Sequence, residues 1–274
     1  MDENKLRWLK SWLQPFFLIE AFCLVNIGFM TLDIYLAHSA NEFRRKAEYI
    51  PLYFSMIAPF FLLAGLAVRK RWKAVWTDFG YLVGWGSIAV GLTGVILHLD
   101  SSFFYERTIK SLTYSAPFAA PLAYVGLGFL LVMNRMIEHE SPEWAQWVLF
   151  MTLGGFFGNF VISLVDHAEN GFFYPLEWVA VGASAIAVGF LVTPLLMRVS
   201  RRFLSLCMAV LLAEVCVGLW GFFLHTERNL HGPSTILFRN IIYGAAPLAP
   251  MLFPNLAVLG LIALWRLREL AESP

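Results

Sequence analysis

The chain has 274 residues, of which 59% are apolar and 14% charged, and its 20 basic and 19 acidic residues leave a net charge of +1. A water-soluble domain carries about 25% charged residues, so a soluble globule is excluded, and so is a disordered chain. A charge so near zero gives no footprint for nucleic acid, which leaves an integral membrane protein with the lipid bilayer as its main partner.

A helical crossing needs about 20 mostly apolar residues. Eight stretches qualify: 12–36, 50–68, 79–99, 114–133, 147–165, 178–197, 203–224 and 244–265. They are too long and continuous for membrane strands, and only helices satisfy their own backbone in lipid. The predicted fold class is therefore an all-α integral membrane protein with eight transmembrane helices.

Lys5, Arg7 and Lys10 precede the first apolar run. That run is longer than the apolar core of a cleavable leader, so it is expected to be retained as the first helix. His38 closes it, and Glu48 follows ten residues later at the start of the second span. In the third span Ser87, Gly91, Gly94 and His98 recur at helical spacing and so share one face. Asp100 follows, and the fourth span opens on Tyr114 and contains Pro117 and Pro121. Prolines inside a span are expected to kink its helix.

From residue 142 the pattern repeats at an offset of 127 to 129 residues. Residues 90–98 read VGLTGVILH and 217–225 read VGLWGFFLH; residues 114–121 read YSAPFAAP and 243–250 read YGAAPLAP. His167 and Glu177 repeat the spacing of His38 and Glu48, and Glu214, Gly218, Gly221 and His225 repeat the glycine stripe. Tyr243 stands where Tyr114 does, followed by Pro247, Pro250 and Pro254. The expected organisation is two tandem four-helix repeats, 1–141 and 142–274, parallel in topology. A finer repeat of four hairpins is suggested by a His after each odd span, with an acid two residues on in three copies (Asp100, Glu169, Glu227).

The positive-inside rule orients the spans. Thirteen of the 20 basic residues fall on the side of both termini and seven on the other, so both termini are expected in the cytoplasm and the protein in the plasma membrane. Trp8, Trp12, Trp72, Trp76, Trp144, Trp147 and Trp265 fall at the cytoplasmic face, where an aromatic belt is expected. Cys23, Cys207 and Cys216 lie within spans, with no spacing that suggests a disulfide or a metal motif.

The four repeated histidines then stand together at the outer ends of the spans. Imidazole with carboxylate is a ligand set for Fe, Cu or Zn, so His38, His98 and Glu48, and His167, His225 and Glu177, form two candidate metal sites. Glycines beneath His98 and His225 suggest a flat surface for a haem b with histidine axial ligands. The competing readings are hydrogen-bonded interfacial histidines and small-residue helix packing. Glu214 lies near the middle of the seventh span, where an acid is costly unless paired or protonated. It could relay protons, bind a cation or hold a quinone headgroup. Asp100, Glu169, Glu227, Tyr114 and Tyr243 are further polar candidates near the outer face. Three functions remain open at this stage: electron transfer or redox chemistry at an outer haem or metal site, alone or with other membrane or redox subunits; a proton-coupled transporter or channel; and a non-catalytic membrane scaffold.

Overall fold

The computed structural model describes residues 14–114 and 116–270. The expectations placed on Lys5, Arg7, Lys10, Trp8 and Trp12 lie outside the described residues. Among the described residues there is no strand, and eight longer helices run back and forth. They are α1 (Pro15–Ser39), α2 (Tyr49–Val68), α3 (Lys73–Leu99), α6 (Leu122–Met136), α7 (Pro142–Glu169), α8 (Glu177–Leu196), α9 (Arg201–Leu230) and α11 (Leu252–Leu270). Short helices α4 (Phe103–Glu106), α5 (Ile109–Thr113) and α10 (Leu237–Tyr243) lie between them.

Local chemistry sets several of these boundaries. Pro15 and Pro142 open α1 and α7, where a missing N–H costs nothing. The Ser141 hydroxyl accepts from Trp144 N at 3.2 Å, and the Ser200 hydroxyl from Phe203 N at 3.3 Å, capping α7 and α9.

Seven of the described helices are long and apolar enough to cross a membrane. The eighth, α6, is apolar but has 15 residues, about 22 Å at 1.5 Å per residue. Its shortness corrects the expectation of proline-kinked spans. Pro117 and Pro121 precede α6, and Pro247 and Pro250 precede α11, with Pro254 in the first turn of α11. Proline withholds an N–H that a helix interior needs and pushes the residue before it out of the helical region. These prolines therefore mark where a helix starts.

Packing divides the long helices into two sets of four. In the first, α1 packs on α2, α2 on α3, α3 on α6 and α6 back on α1; α7, α8, α9 and α11 close a second ring in the same order. The inner faces bury Ile19, Cys23, Leu62 and Leu131 in one set and Leu149, Phe156, Leu211 and Leu264 in the other. Large apolar side chains also point outward, among them Phe60, Ile96, Phe157 and Trp220. In water such faces would be a liability; against lipid tails they are the matching surface. The two sets meet where α6 packs on α7 and α1 on α11, and there Asn255 donates to the side-chain oxygen of Asn26.

The aromatic belt is only partly realised. Trp72 and Trp147 are exposed, whereas Trp76 and Trp144 are buried at the end opposite the histidines. There the Arg135 guanidinium makes a two-pronged pair with Glu20, Nη1 to Oε1 at 2.7 Å and Nη2 to Oε2 at 3.0 Å. Asn134 donates to Glu20 Oε1 at 3.0 Å and accepts from Trp144 Nε1 at 3.1 Å, so the cluster ties α1 and α6 to α7. Gly80 makes room for it, because a Cβ there would come 1.6 Å from Arg135 Cζ.

Candidate functional site

The four repeated histidines share one end of the molecule, each in the last turn or turns of its helix: His38 on α1, His98 on α3, His167 on α7 and His225 on α9. After His38 the chain leaves α1 through a turn in which the Phe43 N–H bonds back to the His38 carbonyl at 3.1 Å, with Phe43 at φ 50°. After His167 the Phe172 N–H bonds back to the His167 carbonyl at 3.0 Å, with Phe172 at φ 52°. Each turn returns the chain so that the acid ten residues on faces the histidine.

Thus His38 Nδ1 lies 3.6 Å from Glu48 Oε2, and His167 Nδ1 lies 3.8 Å from Glu177 Oε2. The other oxygen of each carboxylate accepts from an asparagine amide: Asn41 to Glu48 at 3.3 Å and Asn170 to Glu177 at 3.2 Å. Glu48 Oε2 and Glu177 Oε2 are buried without a hydrogen-bond partner among the described residues. Asn41 and Asn170 carry a sequence signal, the third residue after the histidine in both copies, which the sequence reading passed over.

His98 and His225 are held differently. His98 Nδ1 lies 2.9 Å from the Pro117 carbonyl, and His225 Nδ1 lies 2.7 Å from the Ala246 carbonyl. A carbonyl only accepts, so in both rings Nδ1 carries a hydrogen, and Nε2 is the ring nitrogen left outside this tether. The glycine stripes explain how the proline segments come so close. A Cβ on Gly91 would stand 2.8 Å from the Pro121 carbonyl, and one on Gly94 2.8 Å from Pro121 Cβ. A Cβ on Gly218 would stand 2.7 Å from the Pro250 carbonyl, and one on Gly221 2.9 Å from Pro250 Cβ. These glycine faces are therefore filled by the next segment of the chain, and no open plane lies beneath His98 or His225.

Within the first set the His38 and His98 rings meet edge to face, with centroids 6.2 Å apart. In the second, His225 is close enough to His167 to act on it electrostatically. Among the described residues, no three His, Cys, Asp or Glu side chains form a ready-made metal cage.

The remaining polar candidates lie apart from the rings. Asp100 accepts from the Tyr105 hydroxyl at 3.3 Å, and Glu227 pairs with His231 at 3.1 Å on the exposed surface. Glu169 lines a shallow cleft of about 130 Å³ with Asp166, Pro117 and Thr113. Tyr114 and Tyr243 end α5 and α10 with their rings exposed. Glu214 is buried in the interior of the second set, far from the histidines along α9, and its Oε2 has no hydrogen-bond partner. Cys23, Cys207 and Cys216 are free thiols.

Compared with known proteins, the chain matches no family model, no curated protein and no solved structure.

Proposed function

We propose that this chain is a plasma-membrane protein of eight crossings, built from two tandem parallel repeats, that binds a transition-metal ion at a histidine pair in each repeat and uses it for electron transfer at the outer face. The observation that carries this reading is the tethering of the histidines. Nδ1 of His98 and of His225 bonds a backbone carbonyl, while Nδ1 of His38 and of His167 faces a buried carboxylate. Metal-ligating histidines are usually fixed in this way, with one ring nitrogen on a carboxylate or carbonyl and the other free for the metal.

Two imidazoles on one ion, each with a metal–nitrogen distance of about 2 Å, place their ring centroids roughly 5–6 Å apart. The 6.2 Å between His38 and His98 is close to that spacing. Glu48 and Glu177, each with one buried oxygen left unpartnered, would orient their histidines or complete the ligand sets. A non-haem ion of Fe, Cu or Zn fits better than haem b, because the glycine faces beneath His98 and His225 are packed by proline. Electron transfer requires Fe or Cu, with a quinone or another redox subunit as the exchange partner. The same reading places both termini in the cytoplasm, following the excess of basic residues on that side.

Elemental analysis and an absorption spectrum of detergent-purified protein test the reading. Two ions per chain are expected, falling to one in His38→Ala/His98→Ala and to one in His167→Ala/His225→Ala. A Soret band would replace the ion by haem. Absence of both haem and stoichiometric metal, before and after incubation with Cu and Zn salts, would refute metal binding. A spectroscopically silent zinc protein would refute electron transfer alone. The alternative, a proton-coupled transporter, is favoured by one observation: the burial of Glu214, whose Oε2 has no hydrogen-bond partner among the described residues.

A further inference from the structure

The interior of the second helix set carries polar side chains toward the histidines, while toward the other end its buried side chains are apolar apart from Cys207 and Thr152. Counting 1.5 Å per residue down the helices, Ser163 lies about 6 Å below His167, Asn159 about 12 Å below it, and Glu214 about 16 Å below His225. Ser184 lies about 10 Å below Glu177 on the same count. All four are buried, and they come from α7, α8 and α9. Asn159 donates to the Ser184 hydroxyl at 3.3 Å, which donates in turn to the Ala180 carbonyl at 3.0 Å. Beyond Glu214 the buried side chains are apolar or thiol, among them Leu211 and Cys207 on α9, Leu149 on α7, Leu191 on α8 and Leu264 on α11, except Thr152 on α7, whose hydroxyl is spent on the Val148 carbonyl at 2.9 Å. This is a column of polar side chains that ends at an apolar plug.

Glu214 itself is 3% exposed. Among the described residues, the helices packed around it bring no counter-charge to its depth. On α7 the ionisable residues are Glu143 near one end and Asp166, His167 and Glu169 near the other; α8 has only Glu177, at its start. On α11 they are Arg266, Arg268 and Glu269, all in the last two turns; on α9 Arg201, Arg202, His225, Glu227 and Arg228 lie toward the ends, leaving only the thiols of Cys207 and Cys216 nearby. An ionised carboxylate at this position would be buried with no cation beside it among the described residues, a cost of several kcal/mol. The first helix set solves the same position without an acid. Ser87 stands at the equivalent place, 127 residues earlier, and its hydroxyl donates to the Tyr124 carbonyl at 2.8 Å.

We propose that Glu214 is a proton-binding site that fills and empties through the Ser163–Asn159–Ser184 column from the histidine end and is sealed from the opposite end. Its carboxyl is neutral at rest, and it exchanges its proton with one side of the membrane only. The inference is independent of the metal reading: an empty histidine site would leave it standing, and a metal-loaded one would not establish it.

The test uses the full chain in lipid vesicles of known orientation, treated with dicyclohexylcarbodiimide, which modifies protonated carboxyls in apolar surroundings. Peptide mapping by mass spectrometry is expected to find an adduct on Glu214 at neutral pH. Raising the pH on the histidine side should suppress the adduct, and raising it on the opposite side should not. In parallel, the infrared carbonyl band of a protonated carboxylic acid should be present, shift in D2O and disappear in Glu214→Gln. Asn159→Leu should slow both the pH response and the deuterium shift at least several-fold while the band persists. Absence of both adduct and band in the unmodified chain overturns the proposal. An equal response to pH on both sides overturns its one-sidedness, and an unchanged exchange rate in Asn159→Leu overturns the column as the route.

Discussion

Replacing Glu20 or Arg135 singly should damage this protein far more than replacing both. Their side chains are 0% and 1% exposed, and the two-pronged pair is the main compensation each charge has. Glu20→Leu leaves a guanidinium, and Arg135→Leu a carboxylate, inside the helix packing. Breaking a buried pair from one side costs about 3–5 kcal/mol, whereas replacing both partners by packed apolar groups is often neutral or stabilising. In the second helix set Leu149 and Leu264, each 129 residues after Glu20 and Arg135 in the sequence, are both fully buried apolar side chains. Glu20→Leu/Arg135→Leu is therefore expected within about 1–2 kcal/mol of the parent, giving a coupling energy of roughly 4 kcal/mol or more in a double-mutant cycle. Gly80→Ala adds a check. Its Cβ would displace the Arg135 guanidinium, so it should destabilise the parent and be tolerated in the double variant. Denaturant unfolding in detergent, followed by tryptophan fluorescence, suits the cluster, since the Trp76 ring centroid lies 4.6 Å from Arg135 Cζ and Trp144 bonds Asn134. Additive losses in the two single variants, with the double variant as unstable as their sum, would refute the reasoning.

Gly91→Ala would bring a Cβ within 2.6 Å of Val125 Cγ2 and 2.8 Å of the Pro121 carbonyl; overpacking of this kind costs about 1–3 kcal/mol. Gly126→Ala, which meets nothing within 4 Å, should be near neutral in the same unfolding assay. Tyr124→Phe removes a hydroxyl that bonds the Ser55 side chain and the Pro51 carbonyl, and should lower stability by about 1–2 kcal/mol, against little change for Tyr114→Phe on the exposed surface. Burial lowers the pKa of His139, in the turn between α6 and α7, from its ordinary 6.5, with Glu140 and Glu138 pulling it partly back. The unfolded chain therefore takes up this proton first, so the His139 contribution is complete above about pH 6.5 and shrinks as the pH falls below it. An unfolding midpoint measured from about pH 8 to pH 5 should decline less steeply in His139→Gln.

Much of the candidate site could be read from the sequence because it depends on spacing. A histidine ten residues before a glutamate, repeated at a fixed offset, already places two similar turns at one end of two helices, and the turns at Phe43 and Phe172 close His38 on Glu48 and His167 on Glu177. The tethers of His98 and His225 were less legible. Their acceptors are backbone carbonyls, which carry no sequence signature, in proline segments whose course depends on how closely a glycine face admits them. The same packing decides that the glycines are contact surfaces.

By itself the sequence determined that the protein belongs in a bilayer, because burying 59% apolar residues behind 14% charged ones is a question of totals. It also determined most of the helical stretches, since the length of an apolar run is a local property. Tertiary structure decided what becomes of the few polar groups inside. Glu20 finds Arg135 across 115 residues of chain, whereas Glu214, another acid within an apolar stretch, has its Oε2 buried with no hydrogen-bond partner among the described residues. The difference arises because the cost of a buried charge depends on what neighbouring helices bring to its depth, and that is set only when the helices pack.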